Sequence, residues 1–352
     1  MAEFRLSGPE RLAKRIADLR IGVPVRLSDG DEAAWVASVE TLTPERLEEM
    51  RALGRVQLAL TARRAETLKI RAYDGDLARI EPGDLNTKSM QALADPSLDL
   101  DQPLRGPFAP VREGNARIAR AALRLAKRAH LLPAVLLAPA TGTEHALAVE
   151  DILTLEQIEM TEAAAARVPL SGIGDARVHV FRPRDGGEEH YAIEVGIPHR
   201  DQPVLVRLHS ACFTGDVIGS LKCDCGSQLK TAMNRIGEEG AGVLLYLNQE
   251  GRGIGLANKM RAYHLQDQGF DTVEANHRLG FEDDERDFRI GAEILRRMGF
   301  GEVRLMTNNP AKVRMMEQSG IHVAERVPLT TEATEENRLY LATKARKSGH
   351  IL

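Results

Sequence analysis

The chain of 352 residues contains only three cysteines, and all three lie between residues 212 and 225. Cysteines that served only as core residues would not be expected to gather in one window and be missing elsewhere. Three thiolates can hold a zinc ion and leave its fourth tetrahedral position open, as catalytic zinc sites do, whereas structural sites are closed by a fourth ligand. A metal site of this kind requires a fold that brings Cys212, Cys223 and Cys225 to one point.

The cysteine spacing, C-x10-C-x-C, places the last two cysteines on a turn, because residues two apart do not share a helical face. Gly226 directly after them permits an unusual backbone. Two other interpretations stay open at this point: a structural zinc with His209 as its fourth ligand, and three reduced thiols without a metal. An odd, clustered set of cysteines also indicates a reducing compartment rather than a disulfide framework.

The composition of the chain limits the kinds of ligand and partner that it can bind. It is 43% hydrophobic and 28% charged, with a formal net charge of -4. This balance gives no basic field for nucleic acid, so a phosphorylated ligand has to be held by local cations. No apolar run approaches membrane-spanning length, and the N-terminus lacks the apolar core of a signal peptide. We therefore expect a cytoplasmic protein that binds neither nucleic acid nor membrane.

The length allows two domains, each with its own core. In the second half, short apolar strands at 203–208, 243–247 and 302–306 alternate with helices, which is typical of an α/β domain. The first half predicts an α+β domain from strands at 24–27 and 56–60 and a helix over 116–130. Residues 156–167, rich in Ala and Glu, predict a polar helix, and 168–175 predict a turn. The expected division is a domain over 1–155, a linker over 156–175 and a domain over 176–352.

Three further segments of the second half have both a functional and an ordinary interpretation. The sequence EGRGIGL at 250–256 lies between a strand and a helix, where glycines and Arg252 suit phosphate but also make a simple turn. The run FEDDERDF at 281–288 could hold a base and a cation, although a solvated helix start is the usual interpretation. In TNNPAK at 307–312, phosphate or purine binding is compatible with helix capping by an asparagine.

Taken together and in order, these segments resemble GTP cyclohydrolase II, the first committed enzyme of riboflavin biosynthesis, from about residue 160 to the end. The motifs that carry the resemblance are RLHS at 207–210, the cysteine site with TGD at 214–216, QEGR at 249–252, IGL at 254–256, DTVEAN at 271–276, DERD at 284–287, TNNP at 307–310 and Thr343–Lys344–Ala345. The resemblance implies hydrolysis of GTP to 2,5-diamino-6-(5-phosphoribosylamino)pyrimidin-4(3H)-one, formate and diphosphate.

The resemblance implies ligands for a metal and for the nucleotide. The three cysteines would hold one zinc ion per subunit, whose water attacks C8 of guanine and later releases formate. Mg2+ would accompany the GTP phosphates. The positions that match nucleotide-contacting residues are Arg207, Leu208, His209, Ser210, Gln228, Glu250, Gly251, Arg252, Thr272, Thr307 and Lys312.

Three more positions match residues that take part in the chemistry. Asp284 matches the family's proton acceptor, and Tyr263 matches a tyrosine near the reacting ring. Arg286 matches the arginine assigned to attack the α-phosphate. A guanidinium stays protonated, so stabilisation of charge is the physically easier role, and both roles stay open for Arg286.

The chain departs from the family at Ala211, where a glutamate usually precedes the first zinc cysteine. We expect activity with altered affinity, because the zinc ligands, the base and the arginine remain. Two alternatives stand beside this expectation. One is a cyclohydrolase-like protein with an altered nucleotide substrate or a partial reaction. The other is a non-catalytic nucleotide-binding scaffold, against which Asp284 and Arg286 count.

Residues from about 10 to 155 resemble 3,4-dihydroxy-2-butanone 4-phosphate synthase. The matching pieces are GVPV at 22–25, ETLTPE at 40–45, ALT at 59–61, LADP at 93–96 and REG at 112–114. That family binds magnesium through an acidic loop, which corresponds here to the shortened stretch 29–35. Asn115 stands where the family has a metal-binding histidine, and Ala138 where it has a glutamate. Divalent hard cations need several oxygen ligands, so we predict no synthase activity and a role in packing or homodimer formation.

Overall fold

A computed structural model describes residues 6–101, 105–154 and 158–329 of the chain. The closing motif Thr343–Lys344–Ala345, both chain ends and the first two residues of the predicted linker lie outside this described part.

The strands, in chain order, are β1 (Val25–Asp29), β2 (Glu32–Ser38), β3 (Gln57–Thr61), β4 (Leu77–Glu81), β5 (Ala109–Pro110), β6 (Ala134–Pro139), β7 (Leu147–Ala148), β8 (Met160–Arg167), β9 (Ala176–Pro183), β10 (His190–Val195), β11 (Val204–Ser210), β12 (Gly242–Leu247), β13 (Glu302–Met306) and β14 (His322–Val327). The strands predicted from the second half are confirmed as β11, β12 and β13.

The α-helices are α1 (Gly8–Arg20), α2 (Pro44–Ala52), α3 (Ala62–Thr67), α4 (Thr87–Ala94), α5 (Arg117–Arg128), α6 (Val149–Leu153), α7 (Cys225–Glu239), α8 (Leu256–Asp267), α9 (Thr272–Arg278), α10 (Arg289–Arg297) and α11 (Pro310–Gln318). Short helical turns of other types lie at Pro96–Leu98, Phe213–Val217 and Glu250–Gly253.

The described chain forms two compact units, so its architecture is two-domain α/β. Unit 1 contains the described residues before 157 together with Ile254–Glu285, and unit 2 contains those of 158–253 and 286–329. This division differs from the predicted one, because residues 254–285 were expected in the second domain. The physical reason lies in the core of unit 1, where Ile254, Leu265 and Phe281 belong to one buried apolar cluster with residues of the N-terminal half.

Unit 1 is built on a sheet with strand order β5-β4-β3-β6-β2-β1-β7, in which the β1–β7 pair is parallel and the other pairs are antiparallel. Side chains of a strand alternate between its two faces. Leu58 and Leu60 of β3 accordingly belong to one core cluster and Ala59 to the other. α5 packs in the second cluster, while residues of α8 and α9 cover the first.

Unit 2 is built on a sheet with strand order β14-β13-β11-β12-β10-β9-β8. The four strands from β14 to β12 are parallel, and the other three are antiparallel. Apolar side chains from both faces of β11 and β12 are buried. Loops that follow the carboxyl ends of parallel strands meet at one edge of a sheet, where α/β proteins place their ligands. The motif-bearing segments after β11, β12 and β13 lie at that edge.

The helix predicted over 156–167 is wrong, because Met160–Arg167 forms β8 and pairs with β9. Alanine and glutamate favour helix in isolation, but tertiary pairing overrides such a preference. The turn predicted at 168–175 closes the β8–β9 hairpin, with Leu170 bridged to Gly174. The described part of the predicted linker therefore belongs to the sheet of unit 2.

Candidate metal centre and active site

The three cysteines converge after β11. Cys212 precedes the turn Phe213–Val217, Cys223 lies in the following loop, and Cys225 begins α7. All three Sγ atoms lie within 4.8 Å of one another, and those of Cys212 and Cys223 are 3.7 Å apart. Tetrahedral zinc with Zn–S bonds of about 2.3 Å requires sulfur atoms about 3.8 Å apart. The donor set therefore fits zinc, and within the described residues it is the one group of three or more His, Cys, Asp or Glu side chains that could hold a metal.

Close packing maintains the thiol cluster. A Cβ added at Gly215 would lie 2.8 Å from the Sγ of Cys223 and 3.2 Å from that of Cys212, so a side chain there would displace the thiols. The neighbouring thiol of Cys212 is the main cause that raises the pKa of Cys223, and with Cys223 and burial it also raises the pKa of Cys225. Thiols crowded in this way lose their protons readily only when a cation compensates the charge of the thiolates.

His209 contacts a carboxylate beside the cluster. Its Nε2 lies 3.0 Å and 3.1 Å from the two carboxylate oxygens of Asp216, and its ring stacks on Tyr246 with centroids 5.6 Å apart. Both His209 and Asp216 are buried. The Tyr246 hydroxyl donates to Asp216 at 3.0 Å, and burial raises the pKa of this phenol. The Nδ1 atom of His209 is buried and has no hydrogen-bond partner among the described residues. The group of side chains close enough together to hold a metal nevertheless contains the three cysteines and not His209.

Asp216 and Tyr246 were not among the site residues predicted from the sequence. Asp216 also accepts the backbone N–H of Cys212 at 3.0 Å, so one carboxylate joins His209, Tyr246 and the first cysteine. The signal that could have found Asp216 is the motif TGD inside the cysteine spacing. Tyr246 gave no signal, because it occurs in a run of apolar strand residues.

Arg207 is a buried cation beside the cysteines. Its guanidinium donates to the backbone oxygen of Met306 at 2.9 Å and to Oε1 of Gln228 at 2.7 Å. Burial lowers the pKa of Arg207 to about 10, against the opposing effect of Cys225 and Asp224, so the group stays charged at neutral pH. The buried Nε meets no hydrogen-bond acceptor among the described residues. A charged donor in such a position favours an anionic ligand.

Two further cationic side chains contact the end of β11. Lys312 donates from Nζ to the backbone oxygen of Leu208 at 3.2 Å, and Arg286 donates to the hydroxyl of Ser210 at 3.3 Å. Both cationic groups lie 4.8 Å from the centre of the Phe288 ring. The structure thus brings together four of the residues expected to act on the nucleotide.

The loop at 250–253 has a strained backbone. Gly251 and Arg252 both adopt left-handed conformations, with φ of 64° and 61°, which is uncommon for a residue other than glycine. The carboxylate of Glu250 accepts the backbone N–H of Phe213 at 2.5 Å and that of Gly251 at 3.0 Å. Glu250 therefore ties this loop to the residue that follows Cys212. A strained loop held in this way is typical of functional sites.

The segment after β13 forms a helix cap. Thr307 accepts the backbone N–H of Asn309 at 3.0 Å, and the Asn309 side chain accepts that of Ala311 at 2.9 Å. Asn309 is the N-cap of α11, so the capping expected at 308 or 309 is confirmed. Buried Thr307 and Lys312 lie before and within this first turn.

Three expected site residues belong to unit 1. Tyr263 lies on α8, with the Nζ of Lys259 5.6 Å from its ring centre, and Thr272 opens α9 and accepts from Gln266 at 3.2 Å. Asp284 follows α9 in a segment without helical structure. The run at 281–288, for which a solvated helix start is the usual interpretation, lies directly before α10, which begins at Arg289. Arg286, two residues beyond Asp284, belongs to unit 2.

Comparison with known proteins gives consistent matches. The family model described as GTP cyclohydrolase II matches residues 161–328. A protein of Azospirillum brasilense named GTP cyclohydrolase-2 is 46% identical over 357 residues, covering 95% of this chain and 92% of that protein. A riboflavin biosynthesis protein RibBA of Bacillus velezensis is 54% identical over 180 residues, 51% of this chain and 45% of that one.

Among solved structures, a two-domain 3,4-dihydroxy-2-butanone 4-phosphate synthase from A. baumannii covers 92% of this chain and 100% of its own. Its identity to this chain is 18% and its TM-score is 0.31. Across the described residues, no helix is both long and apolar enough to cross a membrane.

Proposed function

This chain belongs to the GTP cyclohydrolase II family, and we propose that it is the zinc-dependent enzyme that hydrolyses GTP to the diaminopyrimidine product, formate and diphosphate in riboflavin biosynthesis. The observation that carries the proposal is the convergence of three thiols, at distances that suit zinc, beside the buried cation of Arg207. We assign this activity to residues 176–352, as the sequence predicts. Residues 254–285, which include three of the proposed site residues, pack in unit 1.

Cys212, Cys223 and Cys225 would hold one zinc ion per subunit. When bound, zinc supplies a water acidic enough to attack the imidazole ring of guanine near neutral pH. Three protein ligands leave a coordination position for that water, and His209 does not belong to the group of side chains that could hold the metal. Asp216 keeps the backbone of Cys212 in place through its hydrogen bond, and Gly215 leaves room for the thiols.

Binding of GTP needs local cations, because its phosphates are strongly anionic and the chain has a net charge of -4. Arg207, Arg252 and Lys312 are the cations that we expect to meet the phosphates, and Mg2+ would neutralise part of their charge. The other residues proposed to contact the nucleotide or to shape its site are Leu208, His209, Ser210, Gln228, Glu250, Gly251, Thr272 and Thr307.

The chemistry needs a proton acceptor and stabilisation of developing charge. We propose Asp284 as the acceptor, Tyr263 as a residue near the reacting ring and Arg286 as the group that acts at the α-phosphate. The hydrogen bond from Arg286 to Ser210 fixes the guanidinium within unit 2. A fixed cation stabilises charge in a transition state without reorganisation, which favours the electrostatic role over nucleophilic attack for Arg286.

Ala211 favours a second candidate, a cyclohydrolase-like protein with an altered nucleotide substrate or a partial reaction. Restoring the family's residue in Ala211→Glu should change the Michaelis constant for GTP. An unchanged constant would remove any importance from this departure.

The N-terminal half has no synthase chemistry in this proposal. Asn115 donates to Asp29 at 2.8 Å, and Ala138 is a buried residue of β6, so neither supplies a metal ligand of the kind that the synthase family uses. We propose that the protein is a cytoplasmic homodimer that acts on neither nucleic acid nor membrane.

The test is incubation of the purified protein with GTP, zinc and magnesium while formate, diphosphate and the diaminopyrimidine are followed. All three products are expected in equal amounts, and protein stripped of metal by a chelator is the control. Formate without diphosphate supports a partial reaction. If metal-loaded protein releases neither formate nor diphosphate, an enzymatic role is refuted.

A further inference from the structure

The segment Ile254–Glu285 contains three residues of the proposed reaction but packs into unit 1. Its buried apolar side chains, from α8, α9 and Phe281, share one cluster with residues of β3, β4 and β6. The N-terminal half therefore supplies apolar surface against which this segment packs.

Hydrogen bonds and an ion pair with the N-terminal half hold the first helix of this segment, α8. Asn258 donates to the backbone oxygen of His130 at 2.9 Å, and Arg261 pairs with Glu40 at 2.8 Å. Gln268, at the end of α8, donates to the backbone oxygen of Ser97 at 3.0 Å.

Gly280 marks a close approach just before Asp284. The hydroxyl of Thr61 donates to its backbone oxygen at 2.8 Å, and its φ is +87°. A Cβ at this position would lie 2.8 Å from Oγ1 of Thr61 and 2.9 Å from Cγ of Pro133. The chain that leads to Asp284 therefore runs directly against the N-terminal half, at a distance that only glycine allows.

Ion pairs fix both sides of Asp284. Arg63 pairs with Glu282 at 2.7 Å through a two-point contact, and Lys127 pairs with Glu285. Glu285 also accepts the backbone N–H of Glu282 at 2.9 Å, which closes a turn around Asp284. The two cations come from α3 and α5 of the N-terminal half, and the two carboxylates come from the acidic run.

From these contacts we infer that the N-terminal half positions the proton acceptor of the reaction, and that Arg63 and Lys127 are positioning residues for Asp284. The inference rests on the proposed function. A proton acceptor works only when it is held within hydrogen-bond reach of the reacting group. The N-terminal half can therefore serve the reaction by positioning Asp284 even though it has no synthase chemistry of its own. Misplacement of a reacting group by about 1 Å can cost about a hundredfold in rate.

The experiment compares Arg63→Ala and Lys127→Ala with Arg120→Ala. Arg120 forms a two-point pair with Asp76 inside the N-terminal half, and the side-chain exposures of that pair, 35% and 55%, match the 40% and 54% of Arg63 and Glu282. We expect kcat for formate release to fall about tenfold or more in the first two variants. The Michaelis constant and the zinc content should stay at wild-type values, and Arg120→Ala should keep wild-type kcat.

A charge exchange separates positioning from general damage. Lys127→Glu should lower kcat, and addition of Glu285→Lys should restore part of it, because the exchanged pair can form again. Hydrogen exchange of the backbone amides at 281–285 provides a readout that does not depend on activity, and it should be faster in Arg63→Ala and Lys127→Ala than in Arg120→Ala. Arg63→Gln or Lys127→Gln replaces any alanine variant that does not fold.

The two proposals fail in different ways. A wild-type protein that releases no formate from GTP refutes the proposed function, while hydrogen exchange still tests the positioning. An active wild type whose Arg63 and Lys127 variants match Arg120→Ala in kcat and in exchange overturns the inference and leaves the proposed function standing.

Discussion

The carboxylate of Asp216 accepts the backbone N–H of Cys212 at 3.0 Å. The same carboxylate meets Nε2 of His209 and the hydroxyl of Tyr246, so three polar groups depend on one buried acid. Removal of one partner from a buried network leaves the others unsatisfied, which costs about 1–3 kcal/mol for each group. We therefore expect Asp216 to contribute both to the stability of unit 2 and to the position of the Cys212 thiol.

Asp216→Ala should destabilise the protein by about 3 kcal/mol and weaken zinc retention. The measurements are unfolding in urea and the zinc content after dialysis against a weak chelator. Asp175→Ala is the control, because Asp175 pairs with Arg167 on the surface and that pair contributes little. Equal stability and zinc content in the two variants would show that the network around Asp216 does not support the site.

Cys223→Ser should abolish formate release and lower the zinc content while most of the fold persists. The reason is that a hydroxyl is a much poorer zinc ligand than a thiolate, whereas the apolar cores of unit 2 lie on the sheet and do not include Cys223. Zinc content and circular dichroism of the same sample check both statements. Complete unfolding of the variant, with His209 found among the ligands of the wild type, would identify the site as structural.

The strands and the thiol cluster of unit 2 could be predicted because their signals are local. β11, β12 and β13 are short runs of apolar residues, which favours buried parallel strands, and the cysteine spacing shows a possible ligand set without any knowledge of the fold. β8 could not be predicted, because its alanines and glutamate carry a helical preference and its pairing with β9 depends on distant residues.

Local sequence patterns also could not predict that residues 254–285 pack in unit 1. The apolar positions of α8 and α9 show that these helices bury one face, but they do not show against which sheet. The role of Asp216 could not be predicted from the sequence for a related reason. A carboxylate in a short motif has many possible partners, and only the folded chain shows that His209, Tyr246 and Cys212 share it.

His190 should make the stability of the protein depend on pH. Burial lowers its pKa from 6.5 to about 4, and Nδ1 accepts the backbone N–H of Asn248 at 3.0 Å. Between these pH values the unfolded chain binds a proton that the folded chain does not bind. The stabilisation is therefore present above about pH 6.5 and is lost as the pH falls towards 4.

The loss between pH 7 and pH 5 that is due to His190 should be about 2 kcal/mol. Urea unfolding at the two pH values measures it, in the wild type and in His190→Gln. The variant has no group that titrates at this position, so its loss over the same range should be smaller by about that amount. Equal pH dependence in the two proteins would show that His190 is not held in its neutral form.

Arg207→Lys should raise the Michaelis constant for GTP about tenfold and affect kcat less. A lysine keeps the charge but loses the forked contacts to Met306 and Gln228 and the buried Nε that is left for an anion. Steady-state formate release over a range of GTP concentrations separates the two constants. Arg235→Lys is a matched control, because Arg235 donates from the surface of α7 to the backbone oxygen of Pro328. A Michaelis constant that changes equally in both variants would remove Arg207 from the residues that bind the nucleotide.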